Sequence, residues 1–216
     1  MPTSAANPAA CGACGAPLVV PIVCGQCRAL YPLPDGVDFF DLLGVERNYR
    51  MDDARLTTAY RSLARNIHPD RFAGASDSSG SLATRLSAEV NQAYNVLRDP
   101  VLRADYLLCK AGGPDATTVR DVPGDLLAEV LMIREEMDAA RSEGDAAALE
   151  RLRASLADRR EATVEQLGID AARLAAADDA ARREFRKRIN SIKYFDNLLS
   201  DLAVDPLASN QRVNNA

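Results

Sequence analysis

Four cysteines within the first 27 residues are spaced to hold one metal ion. Cys11-Gly12-Ala13-Cys14 and Cys24-Gly25-Gln26-Cys27 are two C-x-x-C knuckles separated by nine residues. In each knuckle two thiolates can reach the same ion, and the internal glycine eases the turn. Four thiolates suit Zn²⁺ in a closed tetrahedral site, although iron accepts the same set. Full coordination leaves no position for a substrate. The expected role of Cys11, Cys14, Cys24 and Cys27 is therefore structural, a staple for a segment too small to hold a core. The apolar run Leu18-Val19-Val20-Pro21-Ile22-Val23 fits a small hairpin between the knuckles. The fifth cysteine, Cys109, stands among Leu107, Leu108 and Ala111 and is expected to be a small buried apolar residue. An odd, clustered count argues against a disulfide framework and for a reducing compartment.

A second constellation surrounds the only histidine. His68 is followed by Pro69 and Asp70. Proline stops a helix and drives the residue before it toward an extended conformation, so the tripeptide reads as a rigid turn that displays a carboxylate. That carboxylate suits a charge-assisted bond to a partner's arginine. Arg55, Arg61 and Arg65, with Thr58 and Ser62, share the polar side of the preceding helical pattern, and Arg71 continues the positive stripe. Such a stripe is either a solvated face or a means of steering an acidic partner. No Ser or Cys nucleophile is marked nearby and there is no second histidine, so no catalytic residue is expected.

The elements that must position these groups are helical. Phe39, Phe40, Leu42 and Leu43 make a short apolar helix ending at Gly44. Leu56, Ala59, Tyr60, Leu63, Ala64 and Ile67 follow the helical period, with Asp52 or Asp53 as cap and Pro69 as stop. Leu86, Val90, Ala93, Tyr94 and Leu97 repeat the pattern up to Pro100, and the two long helices should pair antiparallel. Gly74 to Ser81 reads as a flexible loop between them. A short fourth helix is expected over 101–111, before the break Gly112-Gly113-Pro114. Three further amphipathic stretches carry Leu126 to Met137, Leu149 to Leu167, and Leu174 to Leu202, which suggests a three-helix bundle. The expected organisation is a metal-binding segment over 1–36, helical units over 37–112 and 115–205, and a polar tail over 206–216.

Composition agrees with helices. Nearly half of the 216 residues are hydrophobic and there is no tryptophan. The net charge of −5 is a poor match to nucleic acid. No apolar run is long enough to span a bilayer, and residues 1–10 lack the features of a signal or transit peptide. A cytoplasmic protein is the expectation, or a mitochondrial-matrix one in a eukaryote.

The helix before His68-Pro69-Asp70, then Arg71-Phe72, a polar loop, and Asn91-Gln92-Ala93-Tyr94-Asn95-Val96-Leu97 together resemble a J-domain. Asp38-Phe39-Phe40-Asp41-Leu42-Leu43-Gly44-Val45, the run from Leu97-Arg98-Asp99-Pro100 to Asp105-Tyr106-Leu107-Leu108, and Leu131-Met132-Ile133-Arg134-Glu135-Glu136-Met137 resemble the HscB family of iron–sulfur co-chaperones. The resemblance covers residues 37 to about 202, and the four-Cys prefix is similar to that of the longer, eukaryotic-type members. It implies an all-α fold: a J-domain helical hairpin over 37–112 and a C-terminal three-helix bundle over 115–205, preceded by a small zinc-knuckle or ribbon segment.

It also implies a function. His68, Pro69 and Asp70 with Arg55, Arg61, Arg65 and Arg71 would dock on a DnaK/HscA-type ATPase chaperone and stimulate it. An apolar patch comprising Leu127, Leu131, Glu135 and Tyr194 would bind an IscU-type scaffold protein, with neither nucleic acid nor membrane as partner. Ala128 and Met132 depart from the bacterial pattern, which has a methionine and an acidic residue there. By spacing alone, Leu127 and Leu131 could equally be core.

Two readings from other classes compete. A zinc-dependent nucleic-acid module is weakened by the single basic residue of residues 1–36, Arg28. A redox or iron–sulfur carrier would use the four cysteines themselves.

Overall fold

The computed structural model describes residues 10–72 and 77–203, so the tail expected at 206–216 lies outside the described residues. The chain divides into two compact units, one ending at Arg103 and the other beginning at Ala104.

In the first unit, α1 (Phe39–Leu43) is capped by Asp38, whose carboxylate accepts from the Asp41 N–H at 2.9 Å. It ends at Gly44, where φ is +65°. A side chain there would be strained and would also crowd Val20 of the cysteine segment, 3.1 Å from an added Cβ. Helix α2 (Asp53–Ile67) starts at Asp52, which accepts from the N–H groups of Ala54 and Arg55. It buries Leu56, Leu63 and Ile67.

Helix α3 (Asp77–Arg98) buries Ala83, Leu86, Val90, Ala93 and Leu97. The pairs Thr57–Tyr94 and Tyr60–Asn91 run in opposite directions along the two helices, so α2 and α3 are antiparallel as expected. Tyr60 stacks on Tyr94 with centroids 4.0 Å apart. Residues 77–81, read from sequence as part of a loop, form the first turns of α3; Gly74 itself lies outside the described residues.

Pro100 does more than close α3. It is the first residue of α4 (Pro100–Lys110), where its missing N–H is no loss, and Asp99 caps the N–H groups of Val101 and Leu102. Arg103, 5% exposed, donates to the carbonyls of Leu97 (2.6 Å), Tyr49 and Arg98. It thereby ties the end of α3 to the loop before α2.

In the second unit, Ala104 and Leu108 are buried, and Gly113 closes so tightly on Leu108 that an added Cβ would lie 2.2 Å from its Cδ1. Cys109, expected to be buried, is exposed: it falls off the Ala104–Leu108 stripe by one residue. Helices α5 (Leu126–Glu143), α6 (Ala146–Ala171) and α7 (Asp179–Ala203) pack as a bundle on Leu126, Val130, Met137, Leu156, Phe195 and Leu198. The third stretch is shorter than expected. Leu174 sits in a separate 3₁₀ turn, and Ala177 is extended before α7 begins. Two buried polar residues of α7 pin the connector that precedes α5. Asn190 donates to the carbonyls of Val119 and Asp121. Arg186 donates to the Pro114 carbonyl and pairs with Asp105.

Among the described residues, no helix is long and apolar enough to cross a membrane.

Candidate functional site

The four predicted metal-ligating cysteines converge. Their Sγ atoms all lie within 4.8 Å of one another, with Cys11–Cys27 at 3.5 Å and Cys14–Cys24 at 3.7 Å. Tetrahedral thiolates about 2.3 Å from an ion stand roughly 3.8 Å apart, so the donor set fits a four-thiolate metal site.

The two knuckles are copies of one turn. The Cys11 N–H donates to the Ala16 carbonyl and the Gly15 N–H to the Cys11 carbonyl; Cys24, Ala29 and Arg28 repeat both bonds. The left-handed conformation falls on Gly15 (φ +73°) and Arg28 (φ +62°), one residue past each knuckle, and not on the internal Gly12 and Gly25. The expected hairpin is reduced to isolated bridges, Val20 with Val23 and Val23 with Leu30, around buried Ile22 and Val23.

Cys11 and Cys24 are buried, whereas Cys14 and Cys27 are exposed. The Tyr31 hydroxyl, against the opposing effect of burial, holds the Cys11 thiol down to about 6, helped by the N–H groups of Ala13 and Cys14. Although the Ala16 N–H lowers it, the Cys14 thiol is pushed up to about 12 by Cys27, burial and the other two thiols. Tyr31 was not foreseen. Nothing in its spacing marks it, since only the fold-back at Val23–Leu30 brings it to Cys11.

The second site lies at the end of α2. His68 is extended (ψ 128°), as the following proline dictates, and Pro69–Phe72 form a 3₁₀ turn closed by the Arg71 N–H on the His68 carbonyl. The Asp70 N–H donates to Nδ1 of His68, leaving the Asp70 carboxylate 89% exposed. Arg55, Arg61, Arg65 and Arg71 are all exposed, and among the described residues none of them pairs with a carboxylate. Among the described residues, the stripe predicted from sequence is therefore an exposed cationic surface ending at an exposed carboxylate, whose Oδ2 lies 3.6 Å from His68 Nδ1.

The third site is on α5. Leu126, Val130 and Met137 face the core, which turns Leu127 (51% exposed), Leu131 (63%) and Glu135 outward on an adjacent stripe. Met132 is also exposed. Half of the six exposed large hydrophobic residues among those described thus sit within two turns of one helix. Tyr194, on α7, is half-buried against the bundle core.

Residues 38–106 match the DnaJ domain family, and residues 122–203 match the HSCB C-terminal oligomerisation domain. The structure is similar to that of human co-chaperone protein HscB (TM-score 0.69, 26% identity, covering 89% of this chain and 96% of the human one). It is also similar to chaperone HscB from Vibrio cholerae (0.65, 26% identity, 77% and 95% coverage) and to the Jac1 co-chaperone from Saccharomyces cerevisiae (0.56, 26% identity, 79% and 94%). The human coverage exceeds what residues 37–216 could supply, so that match reaches into the cysteine segment.

Proposed function

Because this chain belongs to the HscB family of J-domain co-chaperones, we propose that it binds an IscU-type iron–sulfur scaffold protein and presents it to a DnaK/HscA-type chaperone, whose ATPase it stimulates. The observation that carries this reading is the His68-Pro69-Asp70 turn, with its solvent-exposed carboxylate beside four exposed arginines that, among the described residues, pair with no carboxylate.

The chain itself makes and breaks no bonds. Arg55, Arg61, Arg65 and Arg71 steer an acidic face of the chaperone onto α2, and Pro69 fixes the turn so that Asp70 meets a chaperone arginine without ordering a loop first. The α5 stripe of Leu127 and Leu131, with Glu135 beside it and Tyr194 on α7, holds the scaffold. Carrying both partners on one chain raises their effective concentration for each other.

Cys11, Cys14, Cys24 and Cys27 would hold Zn²⁺, which supplies a cross-link with no open coordination position. A reducing compartment keeps those thiols available as ligands.

Leu127→Ala combined with Leu131→Ala tests the scaffold surface. Both side chains are solvent-exposed in the free protein, so the fold should be unaffected. Truncating two anchors removes about 3 kcal/mol of binding, roughly a 100-fold rise in Kd. Titration calorimetry with the scaffold reads this directly, and wild-type affinity in the double variant would remove α5 from the interface.

A further inference from the structure

The cysteine segment contains one polar contact that the four-thiolate geometry does not require. The Tyr31 hydroxyl lies 3.0 Å from Cys11 Sγ, within hydrogen-bond distance. The ring is held in place by its own backbone: the Tyr31 N–H donates to the Ile22 carbonyl at 2.9 Å, next to the Val23–Leu30 bridge, and Ile22 is completely buried. The hydroxyl is also close to Gly12, where an added Cβ would stand 3.8 Å from it, so it sits over the first knuckle.

Cys11 is 2% exposed and receives little water, whereas Cys14 and Cys27 are solvent-exposed. A buried thiolate bound to a metal keeps negative charge that must be satisfied by local donors, and a phenol O–H is one.

We propose that Tyr31 is a positioning residue for the metal centre, its hydroxyl donating a hydrogen bond to the Cys11 thiolate and retarding release of the ion from the first knuckle. The proposal rests on the four-thiolate reading of the site. The proton stays on the phenol oxygen; what changes is how much electron density the sulfur gives to the metal. With the hydrogen bond present, Cys11 is a weaker donor in charge-transfer terms and is less readily protonated away from the ion. Without it, the sulfur-to-metal transition falls in energy and the ion leaves sooner.

The test uses the full chain loaded with Co²⁺, whose d–d and sulfur-to-cobalt bands report the ligand set. Wild type, Tyr31→Phe and Tyr31→Leu are compared for cobalt stoichiometry, band position and rate of metal loss to a chromophoric chelator. The expected result is tetrahedral cobalt in wild type, a charge-transfer band shifted to lower energy by the same amount in both variants, and about tenfold faster capture by the chelator. Bound cobalt with wild-type band energy in Tyr31→Phe would overturn the proposal and leave the metal reading intact. So would a shift that follows loss of the ring and not of the hydroxyl. Failure of wild type to take up cobalt with a four-thiolate spectrum would sink the metal reading and this inference together.

Discussion

Asp70→Asn brings the stimulation of a DnaK/HscA-type ATPase down to the unstimulated rate while leaving the fold intact. The Asp70 side chain is 89% exposed, and its carboxylate lies 3.6 Å from His68 Nδ1. Loss of its charge therefore costs little stability, within about 0.5 kcal/mol, as for other surface substitutions. Docking is a different matter. A charge-assisted hydrogen bond contributes about 2 kcal/mol, so its loss weakens the encounter roughly 30-fold. Because the carboxylate is also the rigidly placed end of the cationic stripe, stimulation should vanish even when the variant is added in excess to compensate for weaker binding. Steady-state ATPase rates across a titration of the variant, with unfolding midpoints alongside, separate the two effects. Stimulation equal to wild type at saturation would assign the turn a merely affinity-enhancing role.

Cys24→Ser has the second large effect, on the metal and on its segment. Cys24 is 1% exposed, and its N–H and carbonyl both close the second knuckle, to Ala29 and from Arg28. The small apolar centre around it, mainly Ile22 and Val23, cannot hold residues 10–31 together without the cross-link. Bound metal should fall from one ion per chain to none, and amide exchange should accelerate throughout that segment. Helices α2 and α3 keep their protection, since Leu63, Ile67, Val90 and Leu97 form a core that needs no cysteine. Metal analysis with hydrogen exchange checks both halves. Retention of a stoichiometric ion in Cys24→Ser would mean that the ligand set is not the four thiolates.

The helical frame was readable because its apolar periods are strong. Leu56, Leu63 and Ile67, or Leu86, Val90, Ala93 and Leu97, admit one buried face. The boundaries that differed lie where local preference and packing disagree. Asp77-Ser78-Ser79-Gly80 consists of residues that favour turns, yet it is drawn into α3, whose next turn buries Ala83 completely. Leu174 is in phase with α7 by spacing but is cut off by the extended Ala177.

The sites were readable to the extent that they depend on neighbours in sequence. The C-x-x-C pairs and the proline turn are of this kind. Tyr31 was not, because its place beside Cys11 depends on the chain folding back. The exposure of Leu127 and Leu131 was open in the sequence for a third reason. Two apolar stripes one residue apart compete for the core, and only packing against α6 and α7 decides that Leu126 and Val130 win.

Coupling of two partners through one chain is tested by a four-way ATPase measurement: chaperone alone, with scaffold, with this protein, and with both. The account predicts that both together accelerate hydrolysis well beyond the product of their separate effects, and that Leu127→Ala/Leu131→Ala abolishes this excess while sparing the stimulation by the co-chaperone alone. Merely independent, multiplicative effects, unchanged in that double variant, would contradict it.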